Sequence, residues 1–359
     1  MKIKNVRTIK VNIPTTEPVT RQALRSIGCV LVFLDTDEGI TGESLLSIWG
    51  DNRLDLLNSM VASLKTEVVG EDPFYAERIW QKLWREVKSL GQKGLTMFGL
   101  SAIDRACWDI VGKAAGLPIH KLLGACRDEV PVYASGLWFF QDIDEITTDA
   151  KKYLAEGFRA IKMRIGKPRI EEDVERVRAV RQAIGPDVDL MADANQRLNV
   201  EHAIRLGRRL EEFNLTWYEE PVPAYDLDGS ARVAAALDIP IALGESEYNR
   251  YGFRKILEMK AADVLMPDIA RVGGITELVK VAHMAEAYHV PVSPHVYPEQ
   301  SLQIMGAVSN ATYLEYMPWF SMLYQEKIQV NDGLAMLPNK PGIGFNFNPE
   351  TIERYRIIK

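Results

Sequence analysis

The chain has 359 residues, 47% hydrophobic and 26% charged, with a net charge of −6 and a pI near 5.6; this suits about two globular domains of roughly 150 residues, or one large barrel with an attachment. No basic stripe speaks for nucleic acid, no apolar run reaches the ~18 residues of a membrane helix, and the start, Met-Lys-Ile-Lys-Asn-Val-Arg, carries no secretory core. The three cysteines, Cys29, Cys107 and Cys126, form no C-x-x-C, which argues against a disulfide framework or a zinc ribbon and for a reducing cytoplasm.

The first 50 residues read as strands. Ile9, Val11 and Ile13 alternate with Lys10 and Asn12, the pattern of a half-buried strand. Cys29 to Leu34 is a second apolar run, Asp35-Thr-Asp-Glu-Gly39 is turn chemistry, and Ile40 opens a third strand, giving an antiparallel meander. Helical periodicity then covers residues 54–69, 74–88 and 95–115, the last stopped by Gly116 and Pro118. From about residue 130, short β-rich runs alternate with amphipathic segments; the runs are 130–133, 160–164, 188–192, 216–218, 239–243, 262–266, 290–293 and 311–314. Strand alternating with helix means parallel strands joined by crossovers, and eight such units predict a closed (β/α) barrel. An open doubly wound sheet is the rival architecture; nucleotide-binding folds lack support, because no G-x-G-x-x-G follows any run and no G-x-x-x-x-G-K-[ST] occurs. The tail from about residue 319 leaves this rhythm. Its Asn331-Asp-Gly333 is a hairpin signal, and the tail is expected to pack back on the N-terminal region.

The later barrel runs are each followed by a polar residue: Asp193, Glu219, Glu245, Asp268, His295 and Glu315, spaced 20 to 27 residues apart. One strand–helix unit has that length, so each side chain falls at the C-terminal rim, where barrel active sites lie. Asp193, Glu219 and Glu245 converge from consecutive strands. Three negative charges meeting is costly, and a hard divalent cation resolves it; all-oxygen ligands point to Mg²⁺ or Mn²⁺ rather than zinc. Each acid taken alone is explained as well by capping of the next helix, and the shared register favours the metal. Asp268 and His295 lie on neighbouring strands, where a carboxylate on one imidazole nitrogen orients the ring and raises its basicity. The other histidines, His120, His202, His283 and His289, fall on or beside helices and read as structural or exposed. Lys162 and Arg164 alternate onto one face of strand two. Burying two cations in a barrel has little structural purpose, whereas beside a metal-bound carboxylate they offset the charge that builds when a carbon acid is deprotonated.

As a set these residues resemble the enolase superfamily, and within it the mandelate racemase subgroup. Lys162-Met-Arg164 resembles that family's K-x-K, Asp193-Ala-Asn195 its D-x-N, Glu219-Glu-Pro221 its E-E-P and Gly244-Glu245 its G-E. Met266-Pro-Asp268 with Gly273-Gly274, then Ser293-Pro-His295, resemble its Asp–His dyad. The resemblance implies an α/β fold: a (β/α)7β TIM-like barrel over residues 121–318, with an α+β capping domain formed by residues 1–120 and the returning segment 319–359. It implies Asp193, Glu219 and Glu245 as Mg²⁺ ligands, Asn195 near the substrate, and Glu315 as the strand-eight acid that hydrogen-bonds the enolate. The muconate-lactonizing branch, with a lysine on strand six, fits worse, because Asp268-Ile-Ala-Arg-Val-Gly-Gly has none. The family's shared step is removal of the proton α to a carboxylate, giving a Mg²⁺-stabilised enediolate that the metal, Lys162 and Glu315 must hold.

The departure at Arg164 separates two chemistries. Lysine can be tuned toward neutral pH, whereas arginine stays protonated. A racemase needs a base on each face of the α-carbon. Dehydration needs one: His295 takes the α-proton and, as imidazolium, protonates the departing β-hydroxyl. The expectation is a Mg²⁺-dependent dehydratase of aldonates or aldarates giving 2-keto-3-deoxy acids, with a racemase or epimerase of a 2-hydroxy acid as the alternative. A non-catalytic relative is disfavoured, because every expected position carries a usable residue. The family's capping loops correspond to about residues 15–27 and 46–52, which hold Arg21, Gln22, Arg25 and Trp49. These read as a polyol-binding lid, or equally as solvated loop residues. Trp138, just after strand one, lines the pocket or fills the cap interface. The resemblance also implies a symmetric homo-oligomer, dimer to octamer.

Overall fold

The computed structural model describes residues 1–15 and 26–358. The lid residues Arg21, Gln22 and Arg25 therefore lie outside the described residues. Three antiparallel strands come first, β1 (Ile3–Pro14), β2 (Ser26–Thr36) and β3 (Thr41–Trp49), in that order across the sheet. β2 is central and covered on both faces, which is why it reads as an unbroken apolar run from Cys29 to Leu34. The helix Leu95–Ala115 packs on this sheet. It can do so because residue 42 is glycine: a methyl group there would stand 2.1 Å from the Ala106 carbonyl oxygen.

The barrel strands are β4 (Glu129–Ser135), β5 (Ala160–Arg164), β6 (Asp189–Asp193), β7 (Leu215–Glu219), β8 (Ile241–Leu243) and β9 (Val264–Leu265), each parallel to the next. β10 (Leu314–Tyr316) closes the circle by pairing in parallel with β4. Between β9 and β10 the seventh strand is reduced to isolated bridges, Leu265 to Val292, Asp268 to His295 and Val292 to Ala311. Pro291 and Pro294 have no N–H to give a ladder, so pairing stays sparse there.

Alternation sorts the side chains into two cores. Ile161 and Met163 of β5 face the outer helices with Val174, Val177 and Leu190. Tyr133, Ala160, Met191, Trp217, Ala242, Val264 and Met266 form a separate cluster that fills the barrel interior. Lys162 stands on this plug, its Nζ 5.2 Å from the centre of the Tyr133 ring.

Three contacts fasten the N-terminal helices to the β9 side of the rim. Ser101 Oγ donates to the Ile269 carbonyl at 2.7 Å, Trp80 Nε1 to the Gly273 carbonyl at 2.8 Å, and the Thr276 N–H to Asp104 at 3.0 Å. The tail makes the hairpin β11 (Val330–Asn331) and β12 (Leu334–Met336), whose second strand pairs antiparallel with β4. The hairpin thus extends the barrel. Contact with the N-terminal region comes further on, where the Ile343 N–H donates to Asp109 on the helix Leu95–Ala115 and the Phe347 N–H to Glu43 on β3, each at 2.9 Å.

Candidate active site

The inward positions at the ends of β5, β6 and β7 build one buried cluster. Lys162 donates to both carboxylate oxygens of Glu219 at 2.8 Å and lies 2.8 Å from Glu315 Oε1. Asp193 and Glu219 are register partners across β6 and β7. Burial and Asp193 push the Glu219 carboxyl above its ordinary range, while Lys162 opposes them. Burial also acts upward on Glu315, yet Lys162, His295 and Arg164 outweigh it and hold that group far below the usual carboxylate range.

Arg164 NH1 lies 3.0 Å from Asp193 Oδ2, its NH2 donates to Ser135 Oγ at 3.3 Å, and the guanidinium sits 5.3 Å from the Trp138 ring centre. Ser135 Oγ donates in turn to Glu315 Oε1 at 2.7 Å. Asn195 has a left-handed backbone, φ 43°, and folds back on its neighbour: its N–H and side-chain amide donate to the two Asp193 oxygens at 2.7 and 3.0 Å.

His295 Nδ1 lies 2.8 Å from Asp268 Oδ2. The other Asp268 oxygen accepts from the N–H groups of Ala270 and Arg271 at 2.8 and 3.0 Å, which fixes the carboxylate at the start of a helical turn. Burial pushes the imidazole down. Glu245, the Asp268 hydrogen bond and Glu315 more than reverse this and raise its pKa to about 9.

Glu245 does not join the other two acids as the spacing suggests. Its Oε2 lies 3.3 Å from His295 Nε2 and its Oε1 3.6 Å from Arg271 NH1. Among the described residues no three acidic, histidine or cysteine groups gather around one point. With protein groups alone, Glu245 pairs with nearby cations in preference to two like charges. The chemistry still fits a hard divalent cation. Six carboxyl groups, Asp193, Glu219, Glu220, Glu245, Asp268 and Glu315, crowd against Lys162, Arg164, Arg271 and His295, and burial with the neighbouring carboxylates raises Glu219 to about 8 and Glu220 to about 9, so all six can be ionised together only with further positive charge beside them. Glu220 Oε1 is buried without a hydrogen-bond partner among the described residues. The donors at hand are carboxylate oxygens, which suit Mg²⁺.

A cavity of about 740 Å³ opens between the meander side and the rim. Arg164, Asn195, Glu245, Asp268 and His295 line its charged end, and Trp49, Trp138 and Trp319 its wall. Trp319 meets Trp49 edge-on at 4.7 Å and stacks with Trp138 at 6.3 Å. Sequence reasoning missed Ser135, Arg271 and Tyr297. Ser135 ends β4, so its place at the rim follows from the same strand-end rule that marks the later acids. Arg271 looks in sequence like any solvated loop charge.

A closed barrel whose C-terminal rim gathers carboxylates, a buried lysine and an Asp–His pair is an enzyme scaffold with a site made for reactions that develop negative charge. Residues 3–124 match the family described as "Mandelate racemase / muconate lactonizing enzyme, N-terminal domain", and residues 145–351 the one described as "Enolase C-terminal domain-like". The chain belongs to the enolase superfamily, in its mandelate racemase subgroup. It is similar to the L-talarate/galactarate dehydratase of Salmonella typhimurium, 38% identical over 284 residues, 79% of this chain and 71% of the relative. It is also similar to the D-galactarolactone cycloisomerase of Agrobacterium fabrum, 34% identical with 99% of each chain covered. Among solved structures, the L-talarate dehydratase from Polaromonas sp. JS666, complexed with Mg and L-glucarate, superposes with a TM-score of 0.92 at 32% identity, covering 99% of this chain and 97% of that one.

Proposed function

We propose that this chain is a Mg²⁺-dependent hydro-lyase that dehydrates an acid sugar, an aldonate or aldarate, to its 2-keto-3-deoxy acid. The observation that carries this reading over racemisation is the engagement of Arg164 by Asp193 and Ser135. Burial acts to lower the guanidinium's pKa, but Asp193, Glu219 and Glu315 outweigh it, so the group stays charged and cannot serve as a base. His295 is then the base facing the cavity among the described residues.

Asp193, Glu219 and Glu245 would hold the metal. When bound, Mg²⁺ supplies positive charge beside the substrate carboxylate and makes the α-proton more acidic. Glu245 is the largest of the influences that raise His295, so engaging its charge elsewhere would move the imidazole toward the neutral form that can act as base, against the remaining pull of Asp268 and Glu315. Nε2 takes the α-proton, and the C–H electron pair passes into the carboxylate as an enediolate. As the enediolate collapses, the bond to the β-hydroxyl breaks and the imidazolium returns its proton to the departing oxygen, giving water. The enol left behind ketonises. Asp268 keeps Nδ1 paired throughout, and Lys162 presents its ammonium where oxygen charge develops. Glu315, held ionised, accepts rather than donates; it acts by fixing Lys162 and Ser135.

Proton NMR in D₂O with Mg²⁺ and a panel of aldonates, aldarates and their lactones tests the reading. A 2-keto-3-deoxy product supports it. A new diastereomer without keto product would assign a racemase or epimerase instead.

The unpaired cysteines, Cys29 and Cys107 buried and Cys126 exposed, support a reducing, cytoplasmic setting. Among the described residues no helix is long and apolar enough to cross a membrane. We also propose a symmetric homo-oligomer, which sedimentation equilibrium would size.

A further inference from the structure

We infer that Tyr297 is a positioning residue that transmits the seating of strand β3 to His295 and Glu315 through a hydrogen bond to Ser47. What His295 does rests on the dehydratase reading above; the geometry stands apart from it.

The loop that follows His295 is held in an unfavourable shape. Val296 and Tyr297 both have left-handed backbones, φ 49° and 48°. That region is rare for any non-glycine residue and rarer for a β-branched one, and it persists only where surroundings over-determine it. Here they do so at three points. The Val296 N–H donates to Glu315 Oε2 at 2.8 Å. The Tyr297 ring stacks on Phe320 at 5.2 Å. The Tyr297 hydroxyl lies 2.7 Å from Ser47 Oγ and accepts from the Ser47 N–H at 3.2 Å.

The last contact joins two parts of the molecule 250 residues apart in sequence. β3 is an edge strand, so its outward N–H groups need acceptors from elsewhere, and the barrel tyrosine supplies one. Ser47 lies two residues before Trp49, and Ser47, Trp49, His295, Val296 and Tyr297 all line the cavity. Seating β3 therefore fixes the loop carrying the base, and with it the N–H that holds one oxygen of Glu315. Freed from Ser47, the loop relaxes toward ordinary backbone angles and the Val296 N–H leaves Glu315.

The test uses Tyr297→Phe, which keeps the ring stack, Ser47→Ala, and the double variant. Kinetics on the acid sugar that the parent turns over should show kcat lowered about tenfold in Tyr297→Phe and by less in Ser47→Ala, whose backbone N–H still donates to the hydroxyl, with KM within roughly twofold and the double variant no worse than Tyr297→Phe, because that change alone already removes both bonds. Hydrogen exchange, read without substrate on the peptide covering residues 293–301, should quicken about tenfold or more while β5 to β7 keep their protection. A raised KM with kcat retained would overturn the inference in favour of direct substrate contact, as would unchanged exchange or multiplying effects. If the parent turns over no acid sugar yet exchange quickens in both variants, the dehydratase reading fails and the positioning role holds.

Discussion

Arg164 NH1 lies 3.0 Å from Asp193 Oδ2, so the second cation of strand two is bound to a group we assign to the metal. Its neighbours on either side are Ser135 and the Trp138 ring. A guanidinium fixed in this way serves as counter-charge. Arg164→Met should lower kcat by about 100- to 1,000-fold. Arg164→Lys should recover part of this and add slow exchange of the α-proton from the opposite face, because a buried lysine can shed its proton. NMR of recovered substrate checks both; an epimer already formed by the parent enzyme would sink the assignment.

Chelation should abolish turnover, and Mg²⁺ should restore it. Glu245→Gln should weaken Mg²⁺ binding by about tenfold or more, since a neutral amide replaces a charged donor. Titration calorimetry on the purified chain measures this without substrate. Binding as tight as the parent's would remove Glu245 from the ligand set.

The Asp268–His295 pair separates orientation from chemistry. His295→Asn should end α-proton exchange, and Asp268→Asn should leave a residue of activity, lowered about 100- to 10,000-fold, since the ring remains but is no longer oriented. Both readouts come from one deuterium-incorporation assay. Equal loss in the two variants would mean that Asp268 does more than orient.

A pH effect on stability is expected at a buried carboxyl for which the proposed reaction has no use, Glu299, at the start of the helix that follows the His295 loop. Glu299 is 3% exposed, and burial raises its carboxyl pKa to about 7 against the smaller opposing pull of its own N–H and Lys327. Between its ordinary value near 4.5 and 7 the folded chain keeps a proton the unfolded chain has lost. Stability therefore falls as pH rises through that window and levels off above it, by up to about 3 kcal/mol. Glu299→Gln should unfold at a higher temperature than the parent at pH 8, and the advantage should vanish near pH 4.5. Thermal denaturation at the two pH values decides the point.

Much of the site is visible in sequence because barrel geometry is periodic. A strand–helix unit of fairly constant length places Asp193, Glu219, Asp268 and His295 at equivalent rim positions, and strand alternation puts Lys162 and Arg164 together. Orientation within the cluster is not periodic. Glu245 turns to His295 and Arg271 because local charges decide its rotamer, and the spacing of acids carries no trace of that. Ser135 is a small polar residue with no pattern of its own, although its hydroxyl bridges Arg164 and Glu315. The Ser47–Tyr297 contact and the pairing of the tail hairpin with β4 depend on how distant segments pack. The seventh strand is legible as an apolar run, but its two prolines show that the ladder there must be thin.

Seven tryptophans occur in the chain, and three of them form a chain of ring contacts at the cavity wall, with Trp319 touching both Trp49 and Trp138. One belongs to β3, one follows β4 and one follows β10, so the trio spans the seam between the two halves of the molecule. Indoles packed edge-on and face-on at these separations couple their electronic transitions. Occupancy of the cavity is thus written into the near-ultraviolet circular dichroism and emission of the unlabelled protein, which gives a direct optical titration for acids that bind without reacting.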